Sequence, residues 1–291
     1  MLKNQVSNSL IQIIDNISNY IDNGIKEDDD ISISPYEFKN IFAKNHPLFN
    51  NNEQQDCVEF LRILFEDLSK ENNRVKENYS YKELDTHNKD KKTIIRDFHK
   101  LFLDKENSFI IDNFYIQILN TYICQCGYEN YSCEKMLDFP LKMFKVKKYS
   151  LIELINLNMF YDDIKWILPC KNCQKKNLII SQKIKFNIIN DILFISLQRF
   201  DRITNSINES MIAIDEMLDL KQFMDPIYDI KNYIYLLKGI INYKGNLVKG
   251  HYWSYIKIYN NWFEFNDSNI KKIEKIDLIS DTACILVYER Q

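Results

Sequence analysis

Glycine and proline are scarce in this chain, five of each among 291 residues. That scarcity argues against flexible linkers and low-complexity tails, and leaves most turns to be made by other residues. An excess of one charge is also missing. Lys and Arg number 38 against 41 Asp and Glu, a net charge of −3, so there is no electrostatic case for nucleic acid as a partner. No apolar run approaches the ~18 residues of a membrane span, and no basic stretch leads into an apolar one as in a secretory signal. Cysteine is absent before Cys57 and totals seven. An odd count without a signal favours reduced thiols and metal ligation over a disulfide framework. These absences point to a cytoplasmic or nuclear protein with no membrane partner.

What is present is enough to build a large core: 45% of residues are hydrophobic and 13% aromatic. The acidic run Glu27-Asp28-Asp29-Asp30 reads as a solvated loop. Leu10, Ile13, Ile14, Ile17 and Ile21 form a helical stripe that would bury one face, and Val58, Leu61, Leu64, Phe65 and Leu68 repeat it. Between them, Pro35 to Pro47 reads as a short helix, while residues 72–92 read as a polar loop or surface helix. After about residue 108 the texture becomes β-branched and aromatic. Expected strands cover 115–119, 184–186, 192–197, 233–243, 251–259, 262–265 and 284–288. The plan is α+β, a helical front followed by a mainly antiparallel sheet. No linker divides the chain, so a single domain is expected over 1–291.

Two constellations carry chemistry. Lys249-Gly250-His251-Tyr252-Trp253-Ser254-Tyr255 is followed by Trp262-Phe263-Glu264-Phe265-Asn266-Asp267. A hairpin turning around Asn260-Asn261 brings His251 to Asn266, and a base histidine needs such a side chain to fix its tautomer. A histidine that opens a strand beside glycine is also an ordinary structural residue. The second constellation is Cys124-Gln125-Cys126 with Cys170-Lys171-Asn172-Cys173, whose inner members are 44 residues apart. Two close pairs supply four thiolates to one tetrahedral Zn²⁺; the alternative is small buried thiols without metal. The first pair is one residue shorter than the usual spacing, and Cys133 is a possible substitute. Cys57 and Cys284 read as inert core residues, and His46, His87 and His99 as surface or packing residues.

Six stretches together resemble the ubiquitin-specific protease family of papain-like cysteine deubiquitinases. Asn4-Gln5-Val6-Ser7-Asn8-Ser9-Leu10-Ile11-Gln12 is similar to its nucleophile box, Asn-Thr-Cys-Tyr-x-Asn-Ser-x-Leu-Gln. Glu53-Gln54-Gln55-Asp56-Cys57-Val58-Glu59-Phe60-Leu61 resembles its Gln-Gln-Asp-x-x-Glu-Phe-Leu box, which buttresses the thumb beside the active site. Phe194 to Phe200, Met217-Leu218-Asp219-Leu220, Gly250-His251-Tyr252 and the strand Ala283 to Arg290 follow in family order.

The resemblance implies a helical thumb over 1–110, fingers and palm over 111–200, and a palm carrying the histidine hairpin over 201–291. It assigns His251 as general base, Asn266 as its orienter and Asp267 as the adjacent acidic position. It places the four cysteines at the finger tips as a structural Zn²⁺ site. Setting Asn8-Ser9 on the family's Asn-Ser puts Gln5 on the nucleophile, and an amide neither ionises nor attacks a carbonyl. The segment that bears the family's oxyanion donor would lie upstream of Gln5. The expectation is therefore a deubiquitinase-like protein that binds ubiquitin or ubiquitinated proteins but is inactive. The alternatives are an active enzyme whose N-terminus is incomplete or misread, and an interaction scaffold that has abandoned ubiquitin.

Overall fold

The computed structural model describes residues 5–22, 33–51, 53–76, 84, 89–145, 148–201, 204, 206–227, 232–246 and 249–291. Asn4, the acidic run at 27–30, His87 and most of the polar stretch 72–92 lie outside these residues.

The helical front holds α1 (Gln5–Asp22), α2 (Tyr36–Asn45), α3 (Cys57–Glu71), α4 (Lys91–Leu103) and α5 (Phe109–Phe114). The starts of α3, α4 and α5 are set by short polar side chains that accept the otherwise unpartnered first N–H groups. Asp56 caps α3 through Val58 N and Glu59 N, Asp90 caps α4 and Ser108 caps α5. An aromatic cluster of Phe38, Phe42, Phe49 and Phe60 joins α2 to α3, with ring centroids 5.2 to 6.3 Å apart. Val6, Leu10 and Ile13 of α1 pack onto this cluster. The stripe expected on α1 is narrower than its pattern suggested: Ile14 is 51% exposed and Ile11 53%. The helix packs mainly on α2 and α3, so its outer apolar residues meet solvent. Helix α5 lies where the residue texture suggested strand.

The remaining elements are β1 (Ile116–Cys124), β2 (Glu129–Met136), β3 (Phe139–Lys142), β4 (Lys148–Ser150), α6 (Leu151–Met159), β5 (Phe160–Trp166), β6 (Leu178–Ile189) and β7 (Ile192–Gln198). Short strands β8 (Phe200–Asp201), β9 (Ser206–Ile207), β10 (Met211–Ala213) and β11 (Met217–Asp219) come next. They precede β12 (Ile234–Gly245), β13 (Gly250–Ile258), β14 (Asn261–Asn266), β15 (Asn269–Ile273), β16 (Ile279–Ser280) and β17 (Ala283–Arg290).

Two sheets matter for the sites. The long one runs β15-β14-β13-β12-β17-β7-β3 with β11 beside β12, and the four-stranded one runs β2-β1-β6-β5. The main core lies between the long sheet and α6. There Leu141, Leu151, Leu154, Ile195, Leu218, Leu286 and Tyr288 are fully buried. Strand β7 alternates with β17 in register, Ile195 opposite Leu286 and Phe194 opposite Val287. Phe194 also stacks edge-on to Phe65 of α3, at 5.3 Å between centroids, which seats the helical front on the sheet.

Candidate functional site

The hairpin of β13 and β14 is tighter than the asparagine pair implied. Ile258 pairs with Asn261, leaving Tyr259 and Asn260 as a two-residue turn with φ of 48° and 71°. Both residues sit in the left-handed region that a hairpin turn of this length requires. The turn sets the register that brings His251 to Asn266. His251 Nε2 donates to Asn266 Oδ1 at 2.7 Å. With its proton on Nε2, the imidazole presents Nδ1 as the free lone pair, the atom able to take a proton from a neighbour. His251 is exposed, and the Trp253 ring, two residues along the strand, stacks with it at 6.1 Å and 16°. Asp267 occupies the next turn with φ 52°, exposed to solvent; the bond to the imidazole comes from Asn266.

Gly250 explains why the strand starts where it does. Its N–H donates to Gln54 Oε1 at 2.6 Å, and the Gln54 side-chain amide donates back to the Gly250 carbonyl. One side chain thus completes both backbone bonds of the residue beside His251. A Cβ at position 250 would run into the Tyr243 ring, so only glycine permits the approach. Tyr243 in turn packs on Tyr252 at 4.6 Å and on Phe200 at 5.5 Å between centroids. The Gln-Gln-Asp segment therefore fixes the histidine strand through its first glutamine, a contact that the motif pattern alone did not assign.

Gln5 begins α1, as the nucleophile alignment requires of its position, and the first turn it opens is tied to α3. Val6 N and Ser7 N donate to the Glu71 carboxylate at 3.1 and 2.9 Å, and the Ser7 hydroxyl donates to it at 2.5 Å. Glu71 is the last residue of α3, a helix of 15 residues, which is about 22 Å long at 1.5 Å per residue. Gln54 and Gly250 meet just before the other end of the same helix. The start of α1 is thus tied to the C-terminal end of α3, and the start of the histidine strand to the segment before its N-terminal end. Among the described residues, Asn266 supplies the one hydrogen bond to His251.

The cysteine pairs come together. Cys124 ends β1 and Cys126 lies in the turn to β2, with Gly127 at φ 82° closing that turn onto the Cys124 carbonyl. Cys170 and Cys173 occupy the opposite loop, between β5 and β6, where Gln174 N returns to the Cys170 carbonyl. All four sulfurs lie within 4.8 Å of one another, with 4.0 Å between Cys124 and Cys173 and 3.7 Å between Cys126 and Cys170. Tetrahedral thiolates at ~2.3 Å from a zinc ion stand ~3.8 Å apart. The four residues can hold a metal ion, and the short first pair fits because Gly127 supplies the tight turn. Hydrogen bonds from the Tyr128 backbone and the Asn172 amide pull the Cys126 thiol down to about 6, which favours thiolate there.

Cys133 is not part of this cluster. It is buried on β2 opposite Leu119, and burial pushes its thiol up to about 12. His46 bonds Asp67 at 2.6 Å and packs on Phe42, while burial lowers the pKa of His99, which packs against Tyr115. Both behave as the packing residues expected of them. Arg199, hidden within a strand motif, is 3% exposed and gives its guanidinium protons to the carbonyls of Ala283, Asn208, Ser210 and Ser280. Cys284 is buried as expected, whereas Cys57 is half-buried.

A helical layer locked at one end onto a histidine–asparagine hairpin, with cysteine-tipped strands beyond, is the architecture of a papain-like hydrolase domain with fingers. The chain belongs to the ubiquitin carboxyl-terminal hydrolase family, whose profile matches residues 2–288. It is 26% identical over 284 residues to human ubiquitin carboxyl-terminal hydrolase 21, covering 89% of this chain and 50% of that one. It is 28% identical over 277 residues to chicken ubiquitin carboxyl-terminal hydrolase 2, covering 89% and 74%. The chain thus spans about half the length of several curated relatives it matches.

Among solved structures it resembles the SAGA Ubp8/Sgf11/Sus1/Sgf73 DUB module bound to ubiquitin aldehyde, with a TM-score of 0.66 and 19% identity. That match covers 88% of this chain and 53% of the other. A yeast SAGA DUB module with an Sgf73 variant matches at a TM-score of 0.68 and 19% identity, covering 100% and 64%. At that identity the likeness shows the fold: thumb, palm and fingers.

Proposed function

We propose that this domain binds ubiquitin or ubiquitinated proteins in the manner of a deubiquitinase, with His251 as general base and Asn266 as its orienting residue. In this reading Asp267 flanks the pair, and residues 5–291 alone do not cleave the isopeptide bond. The observation that carries it is the His251–Asn266 bond, which leaves Nδ1 free to act; Gln5, set on the nucleophile position by the alignment, has no thiol to offer. Family membership and the ubiquitin-bound SAGA relative support ubiquitin as the partner. Ubiquitin recognition over a wide surface does not need the thiol.

The same placement of Gln5 favours a second reading, in which a longer product supplies the thiol from sequence outside these residues. A ubiquitin C-terminal electrophile probe separates the two. Residues 5–291 expressed alone should bind ubiquitin by calorimetry and form no adduct, whereas the natural product in its source cells forms one under the second reading. No heat at millimolar ubiquitin would sink both and leave the scaffold.

The reading extends to the finger tips, where Cys124, Cys126, Cys170 and Cys173 hold a structural Zn²⁺. Sulfur spacing and an all-thiol donor set support it. Elemental analysis should return close to one zinc per chain. Reduced thiols and metal ligation suit the cytosol or nucleus, and no described helix is long and apolar enough to cross a membrane.

A further inference from the structure

Two cysteines that neither site uses also meet in space. Cys57 and Cys284 are 227 positions apart in sequence, yet their sulfurs are 3.7 Å from each other. Cys57 is the first residue of α3 and Cys284 the second residue of β17, so the pair sits where the thumb helix touches the palm sheet.

The two thiols differ in access. Cys284 is 6% exposed and donates its S–H to the Ile241 carbonyl at 3.2 Å. The hydrogen bond with Cys57, together with burial, raises its pKa and keeps it as a thiol. Cys57 is half-buried and, with Asp56, Gln198, Tyr252 and Cys284, lines a surface cavity of about 540 Å³. Small oxidants reach Cys57 through that cavity. Arg199 is among the residues lining the same cavity, and its charge acts on Cys284, opposed by that of Asp56. A partly open thiol with a second thiol within reach is what distinguishes oxidisable cysteines from inert buried ones.

We propose that Cys57 and Cys284 form an oxidisable dithiol, whose conversion to a disulfide locks α3 onto β17 of the sheet that carries His251. The oxidant is a peroxide. The Cys57 thiolate attacks one peroxide oxygen, the O–O bond breaks, and Cys57 becomes a sulfenic acid as hydroxide leaves. The Cys284 sulfur then attacks the sulfenic sulfur; the S–O bond breaks, and the departing hydroxide takes the Cys284 proton and leaves as water. Two thiol electrons reduce one peroxide, and a small dithiol reductant reverses the step. The sulfurs must close from 3.7 Å to about 2.05 Å, a movement within reach of a side-chain rotation at Cys57. The bridge adds to contacts that already tie the start of α3 to β13, since Gln54 holds Gly250 and the Cys57 backbone N–H faces the Tyr252 hydroxyl.

The test treats the intact, metal-loaded protein with hydrogen peroxide, blocks remaining thiols with N-ethylmaleimide, and maps peptides by mass spectrometry. The expected product is a Cys57–Cys284 linked peptide, lighter than its two halves by two hydrogens and released by dithiothreitol. Cys57→Ser should abolish it. Cys284→Ala, checked for folding by circular dichroism, should leave Cys57 over-oxidised because the resolving thiol is gone. The unfolding midpoint of the wild type should rise on oxidation and that of Cys57→Ser should not. Cys57 and Cys284 both recovered as maleimide adducts, or Cys57 bridged to a finger cysteine instead, would overturn the proposal. A bridge that forms without raising the midpoint would overturn the lock.

Discussion

An asparagine, not a carboxylate, holds the imidazole at His251. Asn266 fixes the tautomer through its 2.7 Å bond but brings no charge to an imidazolium. In Asn266→Ala the preference for the Nε2–H form should be lost, seen as averaging of the two imidazole ¹⁵N shifts in labelled protein; unchanged shifts would mean another group orients the ring. A second residue-scale prediction concerns Gln5. Since the turn it opens is bonded to Glu71, at the opposite end of α3 from the segment that holds Gly250, Gln5→Cys should give no covalent adduct with a ubiquitin electrophile probe. An adduct at that cysteine would restore the nucleophile alignment. Sequence made the hairpin pair legible because a two-residue turn leaves few registers, and it made the four finger cysteines legible because close pairs have few other uses. It left the docking of α1 open because Asn8, Ser9, Leu10 and Gln12 also suit an ordinary amphipathic helix. Which part of the helical layer that helix joins depends on Glu71, 64 positions from Ser7.

Helix α1 owes its start to that carboxylate, and little else buries it. Glu71→Ala removes charge-assisted bonds from its first turn and should cost about 2 kcal/mol of stability, measured by urea unfolding. Hydrogen exchange in that variant should quicken first in α1. Gln54→Ala should instead loosen the start of β13, raising exchange at Gly250 with a smaller loss of about 1 kcal/mol, because Gln54 is exposed. Helices α4, α5 and α6 were the elements least visible in sequence. Phe109-Ile110-Ile111 could as well begin a strand, and it is the Ser108 cap together with packing that makes it helical. Asp215 adds a pH term. Burial raises its carboxyl pKa, so the folded state holds a proton that the unfolded chain releases. Stability from this group falls as pH rises through and above the ordinary carboxylate range. Asp215→Asn should flatten that part of the stability–pH curve.

For the molecule as a whole, the cysteine cluster joins the tips of two loops that the four-stranded sheet otherwise connects only through β1 and β6. Stripping metal with a strong chelator should lower the unfolding midpoint and release thiols to a colorimetric reagent, and zinc addition should reverse both; an unchanged midpoint would remove the structural role. The order of strands has a consequence for how the protein is made. Strand β17 spans residues 283–290 yet lies between β12 and β7 in the middle of the long sheet. Until it leaves the ribosome, β12 and β7 are two open edges with nothing between them. Arg199 likewise has no Ala283 or Ser280 carbonyl to bind. A ribosome-bound chain would therefore carry one open apolar edge on β7 once residue 198 is out and a second on β12 once residue 245 is out, until residue 290 emerges, which makes chaperone contact a condition of its yield.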